Sequence, residues 1–529
     1  MPGQDRQPVK RGAGLLALCL ALVATFLTAC SGDTRDDTVR LRVLASPDLA
    51  VLGPLLSELK DETGVDLRLY HRADAETKTP DRDRYDLAWL SSDHYLRLTD
   101  RHAIRGLQRT ATMTSPVVIG LKPDVARELR ARVPGSRLTW ADIADAAAAG
   151  TVRFGMADPR HAGSGLAALV GVATAAAGTG AALRPEDVSC DRLRGFRSGQ
   201  ALTADTGPAL IDTYVDHQDE ANALITYESD LLTLNASGRL DDHLEVIRPE
   251  DGMVLADFPL LLLNPAHRTA YDKVTKWLRR DSVQRHIMRH TVRRPVTTTV
   301  TRDARLREPV GNALFYPDQP AVIETLLADY GDPDRRTASQ VVFLLDFSGS
   351  MRGARMAALR EAFAGLSGAD PSASGKFTRF YRGERLTVVR FGGRVLEQTT
   401  VTVTGPKDLT ALAGTVVRGG YGDATAVWSA LDHGYRTAAL ELAADPDRSV
   451  SLVLMTDGEN NAGLSYAEFV RRHKELPAAV RATVPTYPVH FGEANAGELR
   501  RAAARTGGRM VEAADSSLSE AFKEIRGCH

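Results

Sequence analysis

The chain has 529 residues and a formal net charge of −1, with 43% hydrophobic and 25% charged residues. This composition is typical of globular proteins, and the near-neutral charge provides no overall field that would attract nucleic acid. Because a chain of this length exceeds one compact core, we expect about two to four domains.

The first residues predict an export signal. A basic start leads into the apolar stretch GLLALCLALVATFLTAC, which has the length of a signal peptide and is too short for a comfortable membrane span. Its last four residues, LTAC, resemble a bacterial lipobox. The resemblance implies that residues 1–30 are a lipoprotein signal peptide, that Cys30 carries the lipid and that residues 31–39 are a polar tether. The alternative is an ordinary signal peptide in which Cys30 is incidental.

A lipid on Cys30 would place the protein outside the cytoplasm. Acyl chains hold a protein at a membrane face without a spanning helix. We therefore expect an exported protein, lipid-anchored at the outer face of the bacterial cytoplasmic membrane or cell envelope. Cys190 and Cys528 remain beyond the signal peptide, and in an exported protein these two thiols either pair or stay free.

Residues 40–306 alternate predicted strands and helices. LRVLAS, VDLRLY, YDLAWL and PVVIGL indicate strands, and LGPLLSELKDETG, LTWADIADAAAAG and GSGLAALVGVATAAAG indicate helices. This alternation predicts an α/β architecture with a largely parallel sheet. Residues 307–339 are punctuated by Pro and Asp, carry one predicted helix, PAVIETLLADY, and are expected to form a connector.

Hydroxyl side chains at strand ends and helix starts mark candidate binding residues in this first unit. Free backbone N–H groups at a helix start favour an anion or a polar ligand. An equal alternative for each hydroxyl is a helix cap or a turn, and Glu228 has the alternative of a structural ion pair. The candidates are Ser46, Ser91, Ser92, Ser164 and Tyr227.

The Gly-Ser-Gly helix start, the Tyr-Glu-Ser segment and the terminal helix that leads to Arg-Pro resemble bacterial extracellular solute-binding proteins. These are the two-lobed proteins that serve ABC transporters, and the likeness covers about residues 40–300. The resemblance implies that a small solute binds between the lobes, at the five hydroxyl residues named above.

Residues 340–529 begin with the strand VVFLLD, whose continuous apolar character is typical of a buried parallel sheet. Asp346, Ser348 and Ser350 stand at its end. Thr425 follows a Gly-rich loop, and Asp457 follows another strand, VSLVLMT. Ligands of open α/β sheets lie at the carboxyl ends of strands, so we expect these five side chains to converge. Carboxylate and hydroxyl oxygens suit Mg²⁺ or Mn²⁺.

The set and its order resemble the metal-ion-dependent adhesion site of von Willebrand factor A domains, over about the last 190 residues. The resemblance implies a doubly wound, Rossmann-like domain. It implies Ser348, Ser350 and Thr425 as direct ligands, with Asp346 and Asp457 bound mainly through water. It also implies a protein partner that supplies a carboxylate to the metal.

Other interpretations of this site stay open. Asp423, just before Thr425, departs from the family pattern and leaves the openness of the metal to a partner in doubt. Asp346 could be the nucleophile of a phosphoryl-transfer enzyme, but that chemistry needs a second carboxylate where this chain has Ser348. A strand-end cap without a cation is a further alternative.

These observations predict a membrane-anchored, non-enzymatic binding protein of the envelope. Its second domain would hold a protein partner through a divalent cation, beside a solute-binding-like domain. The alternative is an ABC-transporter solute receptor with an accessory docking domain. A hydrolase is disfavoured because the sequence shows no Ser-His-Asp signature, no Gly-Lys-Ser/Thr phosphate-binding loop and no clear zinc motif.

Overall fold

The computed structural model describes residues 38–100, 104, 106–133, 135, 137–188, 192–332, 338–490, 492, 495–513 and 518–527. The predicted signal peptide with Cys30, nearly all of the tether, and both Cys190 and Cys528 lie outside these residues. Among the helices of the described part, none is both long and apolar enough to cross a membrane.

The first part of the chain builds two sheets. Its strands are β1 (Val39–Ala45), β2 (Val65–His71), β3 (Leu87–Trp89), β4 (Arg109–Ala111), β5 (Ser115–Leu121), β6 (Phe154–Met156), β7 (Gln200–Leu202), β8 (Ala223–Tyr227), β9 (Glu245–Ile247), β10 (Leu255–Ala256) and β11 (Pro259–Leu262). Its helices are α1 (Gly53–Thr63), α2 (His94–Thr99), α3 (Pro123–Arg132), α4 (Trp140–Ala148), α5 (Gly163–Ala177), α6 (Arg194–Arg197), α7 (Gly207–Asp216), α8 (Glu228–Ala236), α9 (Arg268–Leu278) and α10 (Asp281–Thr291).

The two sheets define two lobes. Lobe one contains the sheet β2-β1-β3-β11-β4 with helices α1, α2 and α9, and lobe two contains the sheet β10-β5-β8-β6-β7, with β9 beside β5, and helices α3 to α8. The chain passes from lobe one to lobe two after β4 and returns before β11. Two crossings between lobes create a cleft that side chains from both sheets can line.

The prediction of a largely parallel sheet is wrong for this half of the chain. β1 pairs in parallel with β2 and β3, but β11 is antiparallel to β3 and β4. In lobe two, β5 is antiparallel to β8, β9 and β10. Strands of two to four residues, such as β10 and β11, are too short for their hydrophobic pattern to reveal their direction.

The connector carries helix α11 (Pro320–Gly331), and the last part of the chain forms one further sheet. Its strands are β12 (Gln340–Asp346), β13 (Arg385–Phe391), β14 (Val395–Thr402), β15 (Val450–Thr456), β16 (Thr486–His490) and β17 (Val511–Glu512). Its helices are α12 (Ala354–Ala364), α13 (Ala373–Thr378), α14 (Pro406–Val417), α15 (Val427–Ala444), α16 (Tyr466–Glu475), α17 (Ala478–Thr483), α18 (Ala496–Arg505) and α19 (Leu518–Gly527).

The last sheet is doubly wound, in the order β14-β13-β12-β15-β16-β17 with only the pair β13–β14 antiparallel. Val341 and Phe343 of β12 pack on one side with α12, α14 and α19, whereas Val342 and Leu344 pack on the other with α15, α16 and α18. Burial on both faces explains why β12 is apolar at consecutive positions.

The last domain docks on lobe two through α13. Lys376 Nζ lies 2.6 Å from Asp142 Oδ1 of α4, and Arg379 Nη1 lies 2.5 Å from Asp145 Oδ1. Phe377, between these two cations, is buried in the core that the two lobes share. Two ion pairs and an apolar contact therefore hold the two parts of the chain together.

Candidate metal centre and interlobe cluster

The candidate metal centre is built around Asp346, the last residue of β12. Its side chain is fully buried, Oδ1 accepts a 2.7 Å hydrogen bond from the backbone N–H of Ser348, and Oδ2 accepts one of 2.7 Å from Thr456 Oγ1. Burial raises the pKa of Asp346 to about 6. Asp346 thus fixes the loop that follows β12 through Oδ1 and holds the end of β15 through Oδ2.

The structure brings the five predicted metal ligands to this edge of the sheet. Ser348 Oγ and Ser350 Oγ are 3.0 Å apart, and Ser350 Oγ donates to Asp457 Oδ1 at 2.9 Å. A Cβ on Gly458 would lie 3.5 Å from Thr425 Oγ1 and 3.8 Å from Ser350 Oγ, so these hydroxyls flank the same glycine. Ser350 is exposed, which opens the cluster to solvent on one side.

A close contact between two glycine-containing loops positions Thr425. Gly422 N–H donates to Phe347 O at 2.9 Å, and a Cβ on Gly422 would lie only 3.0 Å from the Cα of Gly392. Thr425 N–H then donates to Asn461 Oδ1 at 2.8 Å. Asp423 is exposed to solvent.

Three residues of this centre were missed by the sequence analysis. Thr456 and Asn461 orient Asp346 and Thr425 by the hydrogen bonds described above. Arg355, in the first turn of α12, forms an ion pair with the buried carboxylate of Asp457. The doublet Asn460-Asn461 after Asp457 was a visible signal, but nothing in the sequence pairs Arg355 with a residue about a hundred positions away.

The donor set fits a hard divalent cation. Three hydroxyls and two carboxylates at one strand edge are oxygen ligands of the kind that Mg²⁺ and Mn²⁺ take. Ser348, Ser350 and Thr425 are the residues that would hold the ion, with Asp346 and Asp457 behind them. The Arg355 guanidinium already compensates part of the negative charge of Asp457.

A second polar group lies between the lobes, and we call it the interlobe cluster: Ser46, Asp48, Glu76 and Ser91 of lobe one with Ser164 and Tyr227 of lobe two. On lobe one, Asp48 Oδ2 accepts hydrogen bonds from Ser46 Oγ at 3.0 Å and from Ser91 Oγ at 2.7 Å. Ser91 N–H donates to Glu76 Oε1 at 2.7 Å. Ser91 thus links the two carboxylates.

Two glycines of lobe two, Gly163 and Gly207, pack directly against these carboxylates. A Cβ on Gly163 would lie 1.8 Å from Glu76 Oε2 and 3.1 Å from the Tyr227 hydroxyl, and a Cβ on Gly207 would lie 2.6 Å from Asp48 Oδ1. No other residue could stand at these two positions without moving the carboxylates. Burial, aided by the charge of Asp48, raises the pKa of Glu76 to about 7.

Four of the five hydroxyl residues proposed from the sequence therefore meet in the interlobe cluster. Ser92 is the exception: its Oγ lies 2.9 Å from His94 Nδ1, at the edge of the cavity. Glu228 is outside the cluster and forms buried ion pairs with Arg294 and Arg248, each at 2.6 Å. Sequence analysis missed Asp48 and Glu76, although Asp48 stands two residues after the candidate Ser46.

A third group, on the surface of lobe two, offers possible metal ligands but is already paired. Asp158, His161 and Asp205 place their ligand atoms within 4.8 Å of one another. Asp158, however, binds its neighbour Arg160, with Nη2 at 2.6 Å from Oδ2. We assign no metal there.

The fold thus combines an α/β two-lobed domain of the solute-binding-protein kind with a doubly wound domain of the von Willebrand factor A kind. Residues 41–290 match the family model for bacterial extracellular solute-binding proteins, and residues 340–525 match the model for von Willebrand factor type A domains. No curated protein matches the chain in sequence.

Solved structures of both kinds resemble the chain. A von Willebrand factor type A protein from Catenulispora acidiphila is 19% identical with a TM-score of 0.29, over 36% of this chain and 42% of that one. A periplasmic thiamin binding protein is 11% identical with a TM-score of 0.41, over 56% of this chain and 96% of that one. The periplasmic binding protein AfuA from Actinobacillus pleuropneumoniae, with fructose-6-phosphate bound, is 12% identical with a TM-score of 0.37, over 55% and 97%.

Proposed function

We propose that the protein is a membrane-anchored, non-enzymatic binding protein of the bacterial cell envelope that holds a protein partner through a divalent cation. The observation that carries this proposal is the convergence of three hydroxyls and two carboxylates at the carboxyl edge of the last sheet. The match to the von Willebrand factor A model over residues 340–525 supports it.

The chemistry of this centre favours adhesion. Neutral hydroxyl ligands leave the charge of Mg²⁺ or Mn²⁺ poorly compensated, so an added carboxylate from outside binds with a large electrostatic gain. The exposed side of the cluster, at Ser350, is where a partner's Asp or Glu would enter. The metal would then bridge the two proteins.

The same geometry argues against phosphoryl transfer. A nucleophilic carboxylate must reach its substrate, but Asp346 is fully buried and both its oxygens already accept hydrogen bonds. The second carboxylate, Asp457, is also buried and is paired with Arg355 and Ser350. Neither group is placed to attack a phosphorus atom or to act as a general base.

The location in the envelope is part of the proposal. The predicted signal peptide, which ends in the lipobox-like LTAC at Cys30, and the match of residues 41–290 to a family of extracellular proteins both support export. Labelling of cells with a radioactive fatty acid tests the anchor. We expect label in the wild-type protein and none in Cys30→Ala.

Capture from solubilised envelope tests the adhesion. Full-length protein is immobilised and crosslinked with its partners in Mg²⁺ or in chelator, and the bound proteins are identified. We expect a partner that is retained in Mg²⁺ and lost both in chelator and with Ser350→Ala. Ser374→Ala, an exposed serine of the same domain, is the matched control and should retain it. Retention by Ser350→Ala in chelator would overturn the proposal.

A second candidate function is an ABC-transporter solute receptor with an accessory docking domain. It is supported by the buried polar atoms that line the closed interlobe cleft. Mass spectrometry of small molecules released from gently purified protein tests it. A stoichiometric organic solute would favour this function over adhesion alone.

A further inference from the structure

An exposed arginine stands beside the candidate metal centre. Arg352 follows the proposed ligand Ser350 by two residues, so their Cα atoms are at most about 7 Å apart. Both residues are exposed to solvent. Within the part of the chain that the structure describes, the side chain of Arg352 forms no ion pair and no hydrogen bond. A positive charge is therefore available close to where a partner would reach the metal.

The ring of Tyr421 determines where this guanidinium lies. Arg352 Cζ is 4.9 Å from the centre of the Tyr421 ring, which is a cation–π contact. The contact occupies one side of the guanidinium, whose five N–H donors lie in its own plane. Since none of these donors bonds to the described part of the chain, they can bind an acceptor that comes from outside.

Tyr421 belongs to the surroundings of the proposed metal ligands. Its ring lies 6.1 Å from the ring of Phe347, the fully buried residue between Asp346 and Ser348. The next residue along the chain, Gly422, pairs its backbone with that of Ser348 in a short parallel β-bridge. Tyr421 and the metal centre therefore share one surface of the domain.

Arg390 supports the loop that carries Tyr421 from inside the domain. Its guanidinium carbon lies 4.1 Å from the centre of the Phe347 ring, and Nη2 donates to the backbone oxygens of Gly419 at 2.9 Å and Gly420 at 3.0 Å. The side chain of Arg390 is only 4% exposed. Contacts in the interior thus hold the loop, so the Tyr421 ring offers Arg352 a defined surface.

The other charges around the metal centre restrict where a second acidic group can bind. Arg355 is already paired with Asp457. Asp423 and Glu459 are exposed, and like charges placed close to them would be repelled. The distribution of charge therefore favours a second carboxylate beside Arg352.

We propose that Arg352, positioned by Tyr421, binds a second carboxylate of the protein partner whose first carboxylate binds the metal ion. The partner surface is then an acidic segment with two Asp or Glu side chains close together. This inference rests on the adhesion proposed above and names the chemistry of its partner. A guanidinium can hold a carboxylate through two parallel N–H···O bonds, and at an exposed site we expect the pair to increase affinity about fivefold.

Peptides of known sequence test this partner class. Full-length protein in Mg²⁺ is applied to immobilised Gly-Ser peptides that carry one Asp, or two Asp residues one to four positions apart. We expect at least one of the two-Asp peptides to bind about fivefold more tightly than the single-Asp peptide. Arg352→Gln should lose this preference and keep the weaker binding of one Asp. Arg471→Gln, an exposed arginine of α16, is the matched control and should keep the preference.

The outcomes separate this inference from the adhesion itself. Magnesium-dependent binding without a preference for two Asp residues, or a preference that Arg352→Gln retains, would overturn the inference and leave the adhesion standing. A preference that needs Arg352 but survives in chelator would leave the arginine site standing and overturn the metal bridge. Binding to none of the peptides would overturn both.

The positioning role of Tyr421 has its own test. Tyr421→Ala removes the ring beside Arg352, whereas Tyr421→Phe removes only the hydroxyl. We expect Tyr421→Ala to lose most of the preference for two Asp residues, because the partner must then order the arginine itself, and Tyr421→Phe to keep it. Binding of the single-Asp peptide should be unchanged in both variants. An unchanged preference in Tyr421→Ala, or an equal loss with the single-Asp peptide, would contradict this role.

Discussion

Arg355 and Asp457 form an ion pair at the edge of the candidate metal centre, between the first turn of α12 and the end of β15. The other oxygen of the same carboxylate accepts the hydrogen bond from Ser350. Asp457 is buried whereas Arg355 keeps 28% of its side chain exposed, so the guanidinium can turn away while the carboxylate cannot. The Arg355 guanidinium would thus compete with a bound metal ion for the negative charge of Asp457.

Removing this competitor should strengthen metal binding. Arg355→Gln takes away one positive charge beside Asp457, and we expect Mg²⁺ to bind about tenfold more tightly, equivalent to about 1.4 kcal/mol. Calorimetric titration measures the affinity. Arg360→Gln, on the same helix but paired with the backbone of Val417, should bind as the wild type does. Weaker binding by Arg355→Gln would show that the guanidinium supports the site.

Thr456 should stabilise the domain through its bond to Asp346. Thr456→Val keeps the side-chain shape but leaves Oδ2 of a fully buried carboxylate without its donor. We expect a loss of about 1–3 kcal/mol in the free energy of unfolding, measured by denaturant titration in chelator. Thr410→Val, on the exposed face of α14, is the control. Equal stability of both variants would mean that Asp346 finds another donor.

The sequence was sufficient to predict that the five oxygen-bearing side chains at Asp346, Ser348, Ser350, Thr425 and Asp457 share one edge of the last sheet. It did not predict the interlobe cluster, and the reason is physical. Asp346, Ser348 and Ser350 lie within five consecutive residues at the end of one strand. Because the carboxyl ends of parallel strands share one edge of the sheet, the sequence around each strand end is enough to place these side chains beside Thr425 and Asp457. Asp48 and Glu76 meet Ser164 and Tyr227 only because two sheets built from different parts of the chain close on each other. No local sequence pattern predicts that contact, and none predicts the ion pair between Arg355 and Asp457.

Docking of the two domains should depend on the ion pair between Arg379 and Asp145. We expect a coupling free energy of about 1 kcal/mol between these residues, since the guanidinium is only 13% exposed. A double-mutant cycle of Arg379→Met and Asp145→Asn, followed by denaturant unfolding of the full chain, measures it. The coupling should shrink at high salt. Fully additive effects at low salt would mean that the pair contributes nothing to docking.

Asp251 should make stability depend on pH. Burial raises its pKa to about 6, helped by the charge of nearby Asp142, while the backbone N–H of Trp140 donates to the carboxylate. The folded state therefore holds this proton more tightly than the unfolded state does. Stability from this group is present at low pH and is lost as pH rises from about 4 to about 6, by at most about 3 kcal/mol.

The variant Asp251→Asn checks the sign of this effect. The carboxamide cannot titrate, so we expect its unfolding free energy to decline less between about pH 4 and pH 6 than that of the wild type. Denaturant titrations at several pH values measure both curves. Parallel curves would contradict a raised pKa for Asp251. A steeper decline in the variant would mean that folding lowers the pKa of Asp251 instead.

The central claim is that hydroxyl oxygens at the edge of the last sheet hold a divalent cation with a position left for a partner. A crystal of the full-length chain grown in Mn²⁺ and mixed with acetate tests it most directly. We predict an anomalous peak within about 2.2 Å of the hydroxyls of Ser348, Ser350 and Thr425, with an acetate oxygen completing the coordination. Density in which these hydroxyls bond only to water and to Asp457, with no anomalous signal, would contradict the claim.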